Sequence, residues 1–360
     1  MSPDKDQSTL TPLLAEKNEN PEDIGSIVMR IIKVSVPSVI LTTVMTVQDS
    51  LSFYFVGQLN NSLYLSALGF GITFGNAFAM GLSYGIVIGF SVLGSQAYGA
   101  KNYEKFGLYF QKNVVFISLA CLFSILIMLC TENILLTLGY GADLAAAVGV
   151  FMKANIPTFI GYAGLYSFAY YLMAQDIYDV NAYIVLIATI LQVFMSYLFI
   201  NVWDLNITGA AYAKGITMLI STLLAYLYIR KYNPCPESWF DWDMRCIYEL
   251  KDYIIGSVPH GISAYLEWMG FECMTLVIGY LDDVTVLAGH TAIINYVYVI
   301  FSFFLGVSMS TSTLLGNPAG EGNVRMVRAY TKAGMTMNVV ICSLVVIGSF
   351  IFRESIAAFY

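Results

Sequence analysis

Nine apolar segments, each 20 to 32 residues long, follow one another along this chain with short polar turns between them. About 20 apolar residues in a helix cross a hydrocarbon core about 30 Å thick. Backbone polar groups inside that core must be satisfied within the segment, which a helix achieves and a single strand does not. The chain is therefore predicted to be an all-α polytopic membrane protein, and the longest segments are expected to tilt or bend. The predicted spans are 34–57, 66–93, 112–136, 148–173, 182–202, 210–229, 254–281, 284–315 and 333–352.

The composition agrees with this class and argues against several functions. Charged residues make up 11% of the chain, whereas about a quarter is usual in soluble domains. A formal net charge of −7 disfavours a nucleic-acid partner, which requires a concentrated basic face. The six cysteines do not form a disulfide framework, and the two histidines lie too far apart for a helical zinc motif. No metal site, cofactor or catalytic residue is expected, and the chain is not predicted to be an enzyme.

The loop charges predict which side of the membrane each turn faces. The turns at 58–65, 137–147, 203–209 and 282–283 contain no lysine or arginine, so they are assigned to the outside. The N-terminus is assigned to the cytoplasm. The basic residues of the inside loops are Lys101, Lys105, Arg230, Lys231, Arg245, Lys251, Arg325 and Arg328.

An internal repeat divides the chain. Ser35-Val-Pro37 recurs as Ser257-Val-Pro259, an offset of 222 residues, and later matches share that register. One repeat holds six spans, an even number, so the two copies are parallel and predict two lobes. We assign 1–24 to a disordered cytoplasmic tail, 25–231 to an N-terminal six-helix lobe, 232–252 to a cytoplasmic inter-lobe loop and 253–360 to a partial C-terminal lobe.

Carboxylates inside the spans are the first candidates for function. Glu267 and Glu272 lie near the middle of a span, where a charge is costly unless it faces water or a partner. Asp49 and its neighbour Gln48 lie in the first span. Each of the four either serves transport or makes a structural hydrogen bond, and the sequence leaves both interpretations open.

Several motifs, in order, resemble the multidrug and toxic compound extrusion (MATE) transporters. Leu266-Glu-Trp268 with Glu272 is similar to the helix 7 pattern of the eukaryotic branch. The other matching motifs are Phe55-Val-Gly-Gln-Leu59, Leu65-Ser-Ala-Leu-Gly69, Gly94-Ser-Gln-Ala-Tyr-Gly-Ala100, Tyr171-Leu-Met-Ala-Gln175, Ile207-Thr-Gly-Ala-Ala-Tyr-Ala213 and Leu315-Gly-Asn317.

The resemblance implies two lobes of six helices around a central cavity. It assigns Glu267 and Glu272 to the cavity wall, where Asn295 and Tyr265 are also expected. Ser52 stands where sodium-coupled members carry an acid, and Asp49 lies about one turn away. Helices 10 to 12 of the family pattern are expected to be missing after the ninth span.

The expected function is proton-coupled antiport of organic cations or other amphipathic small molecules across a plasma, vacuolar or vesicular membrane. The expected partners are that small molecule, a proton or Na⁺ and membrane lipid. The alternatives are sodium-coupled efflux, a related lipid-linked oligosaccharide flippase and a truncated membrane protein that does not transport. The flippase is disfavoured because Lys153 and Lys214 are expected near span ends.

The charge pattern predicts the result of a labelling experiment. Single cysteines at Asn61 and Asp204 should react with an impermeant thiol reagent from outside, and cysteines at Asn102 and Asn323 should not. Reaction of a cysteine at Asn323 from outside would contradict the number of spans.

Overall fold

The computed structural model describes residues 24–279 and 284–355, and the described residues contain helices and no strands. The predicted tail up to residue 23 and the turn at 280–283 lie outside the described residues. The helices are α1 (Ile24–Gly57), α2 (Ser62–Gly75), α3 (Gly81–Gly99), α4 (Tyr103–Thr137), α5 (Ala142–Met173), α6 (Asp179–Ser196), α7 (Asn206–Tyr232), α8 (Arg245–Tyr248), α9 (Leu250–Gly279), α10 (Val284–Gly320) and α11 (Val324–Ile351).

Two of the long helical rods contain a π-helical segment. Asn76–Met80 joins α2 to α3, so that 62–99 is one continuous rod. Tyr197–Val202 extends α6 in the same way. A π-helical turn places one extra residue in the turn and changes which side chains and carbonyls face a neighbouring helix. The helix that forms the second span is therefore widened locally at Asn76–Met80.

Eight helices within the described residues are long and apolar enough to cross a membrane. Helix α9 matches the predicted seventh span, but it is not among these eight. Polar residues, including Glu267 and Glu272, lower its hydropathy over this length. The most polar of the long predicted spans is therefore the one with both candidate carboxylates.

Helices α1 to α7 pack around α5, which contacts α2, α3, α4 and α7. Twenty of the 32 residues of α5 are buried, including Tyr162, Tyr166 and Tyr170. Of these tyrosines, Tyr166 contacts the Tyr84 ring of α3, and Tyr84 in turn contacts Trp268 of α9. A helix that is apolar on all sides is typically buried on most faces, as α5 is here.

The C-terminal helices attach mainly through α3 and α1. Helix α9 packs along α3, and α10 packs against both α1 and α3. At Gly85 and Gly261 the α3 and α9 backbones meet: a Cβ atom on Gly261 would lie 2.6 Å from the Gly85 carbonyl oxygen. Small residues let membrane helices approach this closely. Helix α11 contacts α10 and α1, and much of its apolar surface is exposed.

The loop between α7 and α9 is docked on the N-terminal helices. The Gln111 side chain donates to the Asp241 carbonyl and accepts from the Asp243 amide. Lys112 forms an ion pair with Glu249 at 3.2 Å. Arg245 bridges Asp243 and Glu104, and its hydrogen bonds hold the pKa of Asp243 below the ordinary aspartate value. These contacts place the start of α9 relative to α4.

The contact between Gly85 and Gly261 predicts a strong positional effect. Gly261→Ala should lower the unfolding temperature of the purified protein, because overpacking of a tight contact costs about 1–3 kcal/mol. Gly270→Ala on the same helix is the matched control, since a Cβ there would meet nothing within 4 Å. Equal unfolding temperatures for the two variants, measured by fluorescence in detergent, would contradict the close approach.

Candidate functional site

Helix α9, which packs on α3 and also contacts α10 and the π-helical segment, carries three of the predicted site residues, Tyr265, Glu267 and Glu272. The interval of five residues between Glu267 and Glu272 turns the helix by about 140° beyond one full turn. The structure places them accordingly in different surroundings: Glu267 is exposed and Glu272 is 2% exposed.

Glu272 is held between two polar side chains. Its Oε1 atom accepts hydrogen bonds from Asn76 Nδ2 and from the Tyr298 hydroxyl, both at 3.5 Å. Asn76 opens the π-helical segment between α2 and α3, and Tyr298 lies on α10. Glu272 thereby links α9 to α10 and to the π-helical segment, which lies 196 residues earlier in the chain. Asn76 and Tyr298 were not identified from the sequence as site residues, although Asn76 is a polar residue within an apolar span.

Tyr265 contacts the same π-helical segment. Its hydroxyl donates to the Ala77 carbonyl at 3.2 Å. Its ring lies against α3 at Gly81, where a Cβ atom would be 3.2 Å from the ring. The predicted cavity residue Tyr265 therefore contacts the N-terminal helices directly, about two turns before Glu272.

A row of aromatic rings runs beside both α9 carboxylates, and we call it the aromatic wall. Its members are Tyr166, Tyr84, Trp268, Tyr298, Phe271 and Phe301. The rings of Trp268 and Tyr298 are stacked, with 6.4 Å between centroids and 12° between planes. Glu272 binds Tyr298 of the wall, and Glu267 directly precedes Trp268 in the sequence. The wall thus combines aromatic faces with two carboxylates.

The Trp268 indole is a further polar feature of the wall. Its Nε1 atom is buried and has no hydrogen-bond partner within the described residues. Buried donors are normally satisfied, so an unpaired one beside a row of aromatic rings is a position where a ligand acceptor would be stabilised.

Asp49 and Gln48 occupy a second cluster, at α1. Gln48 is fully buried, and its side-chain amide donates to Thr189 Oγ1 at 2.8 Å. Its backbone carbonyl accepts from the Gln192 side chain at 2.9 Å. These contacts attach α1 to α6. Asp49 instead forms an ion pair with Lys214 of α7.

The position of Lys214 corrects the sequence analysis. Its side chain is 10% exposed and reaches Asp49 inside the bundle, so the expectation that it lies near a span end is wrong. Lys214 is eight residues from the start of α7, about 12 Å along the axis. The predicted boundary at 210 came too late, because α7 begins at Asn206. A lysine within a membrane span is costly without a partner. Its presence in the sequence therefore indicates an interior carboxylate that pairs with it.

Tyrosines of α5 connect the two clusters. The Lys214 ammonium lies 5.2 Å from the centroid of the Tyr162 ring. Tyr162 stacks on Tyr166 at 6.0 Å, and Tyr166 is the first ring of the aromatic wall. The ion pair and the α9 carboxylates therefore belong to one continuous run of side chains. The predicted site residue Asn295 lies on α10, but its side chain is outside the described residues.

One described cavity lies away from these residues. It measures about 340 Å³ and lies between the start of α1, the end of α3 and the junction of α10 with α11. Its lining includes Arg30, Asp176, Asn317, Glu321 and Arg325, and it contains none of the predicted site residues. The aromatic wall remains the candidate site, because it brings Glu272 together with aromatic faces and an unpaired Trp268 donor.

Comparison with known proteins agrees with this arrangement. The MatE family model matches residues 26–198 and 259–360, which is more than half of the chain. The chain belongs to the MATE family. It is thus an integral multi-pass membrane protein, as the apolar spans indicate.

MATE relatives match most of this chain but extend beyond it. Protein DETOXIFICATION 49 of Arabidopsis thaliana is 26% identical over 90% of this chain, which spans 65% of that relative's length. Multidrug and toxin extrusion protein 1 of Danio rerio is 23% identical over 88% of this chain, which spans 54% of that protein.

Solved MATE structures share the fold. The eukaryotic MATE transporter AtDTX14 superimposes with a TM-score of 0.83 at 21% identity, covering 92% of this chain and 73% of the other. The bent form of the Vibrio cholerae transporter VcmN gives 0.76 at 18% identity, covering 91% and 74%. The predicted MATE-type helical bundle is confirmed.

The environment of Glu272 predicts a difference between two variants. Glu272→Leu should unfold at a lower temperature than Glu272→Gln, because leucine leaves the Asn76 and Tyr298 donors without an acceptor at about 1–3 kcal/mol for a buried group. Glu267→Leu is the control, since its side chain is exposed. The hydrogen-bonding role of Glu272 would be refuted if the leucine variant were as stable as the glutamine variant.

Proposed function

We propose that this protein exports organic cations across a membrane in exchange for protons, and that its substrate binds along the aromatic wall. The observation that supports the proposal most strongly is the row of rings that contains Trp268 and Tyr298, with Glu267 next to Trp268 in the sequence and Glu272 bound to Tyr298. The family membership and the names of its multidrug and toxin extrusion relatives support export in general.

The chemistry of the wall favours a cationic, amphipathic substrate. Aromatic faces attract cations, and the attraction reaches about 2 kcal/mol or more where water is excluded. Rings also bury the apolar part of a ligand, so one surface serves both halves of an amphipathic molecule. Glu267, which is exposed, supplies the negative charge that a bound cation would face.

In the proposed cycle a proton and the substrate compete for Glu267. The ionised carboxylate attracts the cation on the inner side, and protonation on the outer side removes that attraction and releases it. One pH unit supplies about 1.4 kcal/mol per proton, and 100 mV of membrane potential supplies about 2.3 kcal/mol per charge. In a one-for-one exchange the charges of the proton and of a monovalent cation cancel across the membrane potential, so one pH unit sustains about a tenfold gradient of that cation.

Two alternatives differ in their chemistry. Proton coupling is preferred over sodium coupling because of the eukaryotic-like Leu266-Glu-Trp268 pattern followed by Glu272. A flippase for lipid-linked oligosaccharides would need free basic residues for a pyrophosphate. Lys214 does not meet that need, since Asp49 already neutralises it.

Replacement of Glu267 tests the proposal. In vesicles that contain the full-length protein, Glu267→Gln should abolish pH-driven export of a fluorescent organic cation, because the amide keeps the size but does not titrate. Glu267→Asp should retain part of the activity, since the charge persists about 1.5 Å further from the site. The measurement is the rate of dye efflux at several external pH values.

The control is Glu132→Gln, which removes a carboxylate of α4 that pairs with Lys153 away from the aromatic wall. It should export like the unmodified protein. Export by the Glu267→Gln variant at the normal rate and with the normal pH dependence would overturn the assignment. Failure of the unmodified protein to export would favour the non-transporting alternative.

A further inference from the structure

The ion pair between Asp49 and Lys214 is the one pair of opposite charges that joins α1 to α7 in the described structure. Asp49 lies eight residues before the end of α1, and Lys214 lies eight residues after the start of α7. Both are thus about 12 Å along their helices from the same side of the membrane. The contact is formed across 165 residues of sequence.

The lysine is the more deeply enclosed partner. Its side chain is 10% exposed, whereas that of Asp49 is 33% exposed. The Tyr162 ring covers the ammonium at 5.2 Å from the centroid, an additional cation–π contact. The Asp49 side chain is therefore more accessible to solvent than the Lys214 side chain.

Other groups near Asp49 do not neutralise it. From α5 the Tyr162 ring lies against the Lys214 ammonium. From α6 the uncharged side chains of Thr189 and Gln192 bind the neighbouring Gln48. The positive charge that balances Asp49 therefore comes from Lys214.

A carboxylate at this depth requires a counter-charge, because an isolated buried charge is far less stable than a paired one. Where no basic side chain is present, a proton or a metal cation from solution must supply that charge. A tethered ammonium supplies it at a high effective concentration, so that dissolved cations at physiological levels do not displace it.

We propose that Lys214 is a built-in counter-cation that occupies the place of an exchangeable cation at Asp49. The cluster at α1, α5 and α7 then binds no coupling ion and is insensitive to Na⁺. Lys214 thereby determines the ion specificity of the N-terminal helices. This inference concerns a different site from Glu267 and holds whichever ion Glu267 binds.

Removal of the ammonium should expose a cation site. Lys214→Gln leaves the Asp49 carboxylate in place without its partner, so the variant should recruit Na⁺ or a proton from solution. The measurement is the unfolding temperature of the purified full-length protein in detergent. It is compared in about 0.1 M NaCl and in choline chloride of the same ionic strength, each at neutral and at mildly acidic pH.

The variant should gain a stabilisation on the order of 2–4 °C from Na⁺ or from acid that the unmodified protein lacks. The double variant Asp49→Asn with Lys214→Gln has neither charge and should lose this dependence. The matched control is Lys153→Gln, which uncouples the more exposed pair with Glu132 and should create no cation dependence.

Lys214→Ala gives a second readout if the glutamine variant does not fold. The space left by its side chain should admit ethylammonium, which should restore folded protein during purification and have no effect on the unmodified protein. The proposal is overturned if Lys214→Gln responds to Na⁺ and pH like the unmodified protein, or if ethylammonium fails to restore Lys214→Ala. In either case the pair has only a structural role. Neither readout depends on export, so failure here is distinct from failure of the proposed antiport.

Discussion

A charged side chain inside a membrane must find either an opposite charge, hydrogen-bond donors or water, and this requirement organises the interior of this protein. The three interior carboxylates discussed here meet it in three ways. Asp49 pairs with Lys214, Glu272 accepts from Asn76 and Tyr298, and Glu267 is exposed. Only Glu267 is left without a strong protein partner among the described contacts. That difference is the physical reason for assigning the exchange of protons and substrate to Glu267.

The aromatic wall gives these carboxylates a common surface. Its rings come from α3, α5, α9 and α10, so it crosses the boundary between the N-terminal and C-terminal helices. A substrate that stacks on it would contact both sets of helices at once. Any relative movement of the two sets would separate Tyr84 from Trp268 and so change the wall. A substrate bound at the proposed site would therefore couple its binding to such a movement through the same side chains.

Close backbone packing determines where that movement is resisted. The α3 and α9 helices touch at Gly85 and Gly261, and Glu272 and Tyr265 bind the π-helical segment one to three turns away. The wider π-helical turn makes the Asn76 side chain and the Ala77 carbonyl available to α9. In a regular helix, by contrast, the backbone groups bond within the helix itself. The inter-lobe loop is attached to α4 through Gln111 and Lys112, so it is expected to move with the N-terminal helices. The division into two lobes remains a prediction from the repeat.

The sequence by itself determined the class of protein, the order of its helices and the α9 carboxylates. Apolar length and local motifs are properties of contiguous residues, and Leu266-Glu-Trp268 can be identified without knowing what lies beside it. The sequence did not reveal three contacts between its helices. Lys214 forms an ion pair with Asp49, Gln48 donates a hydrogen bond to α6, and Asn76 donates one to Glu272. These contacts join residues more than 140 positions apart, and they depend on helix rotation and on the π-helical turn. A one-residue change in helical phase turns a side chain by about 100°, so only the tertiary structure decides which charges meet.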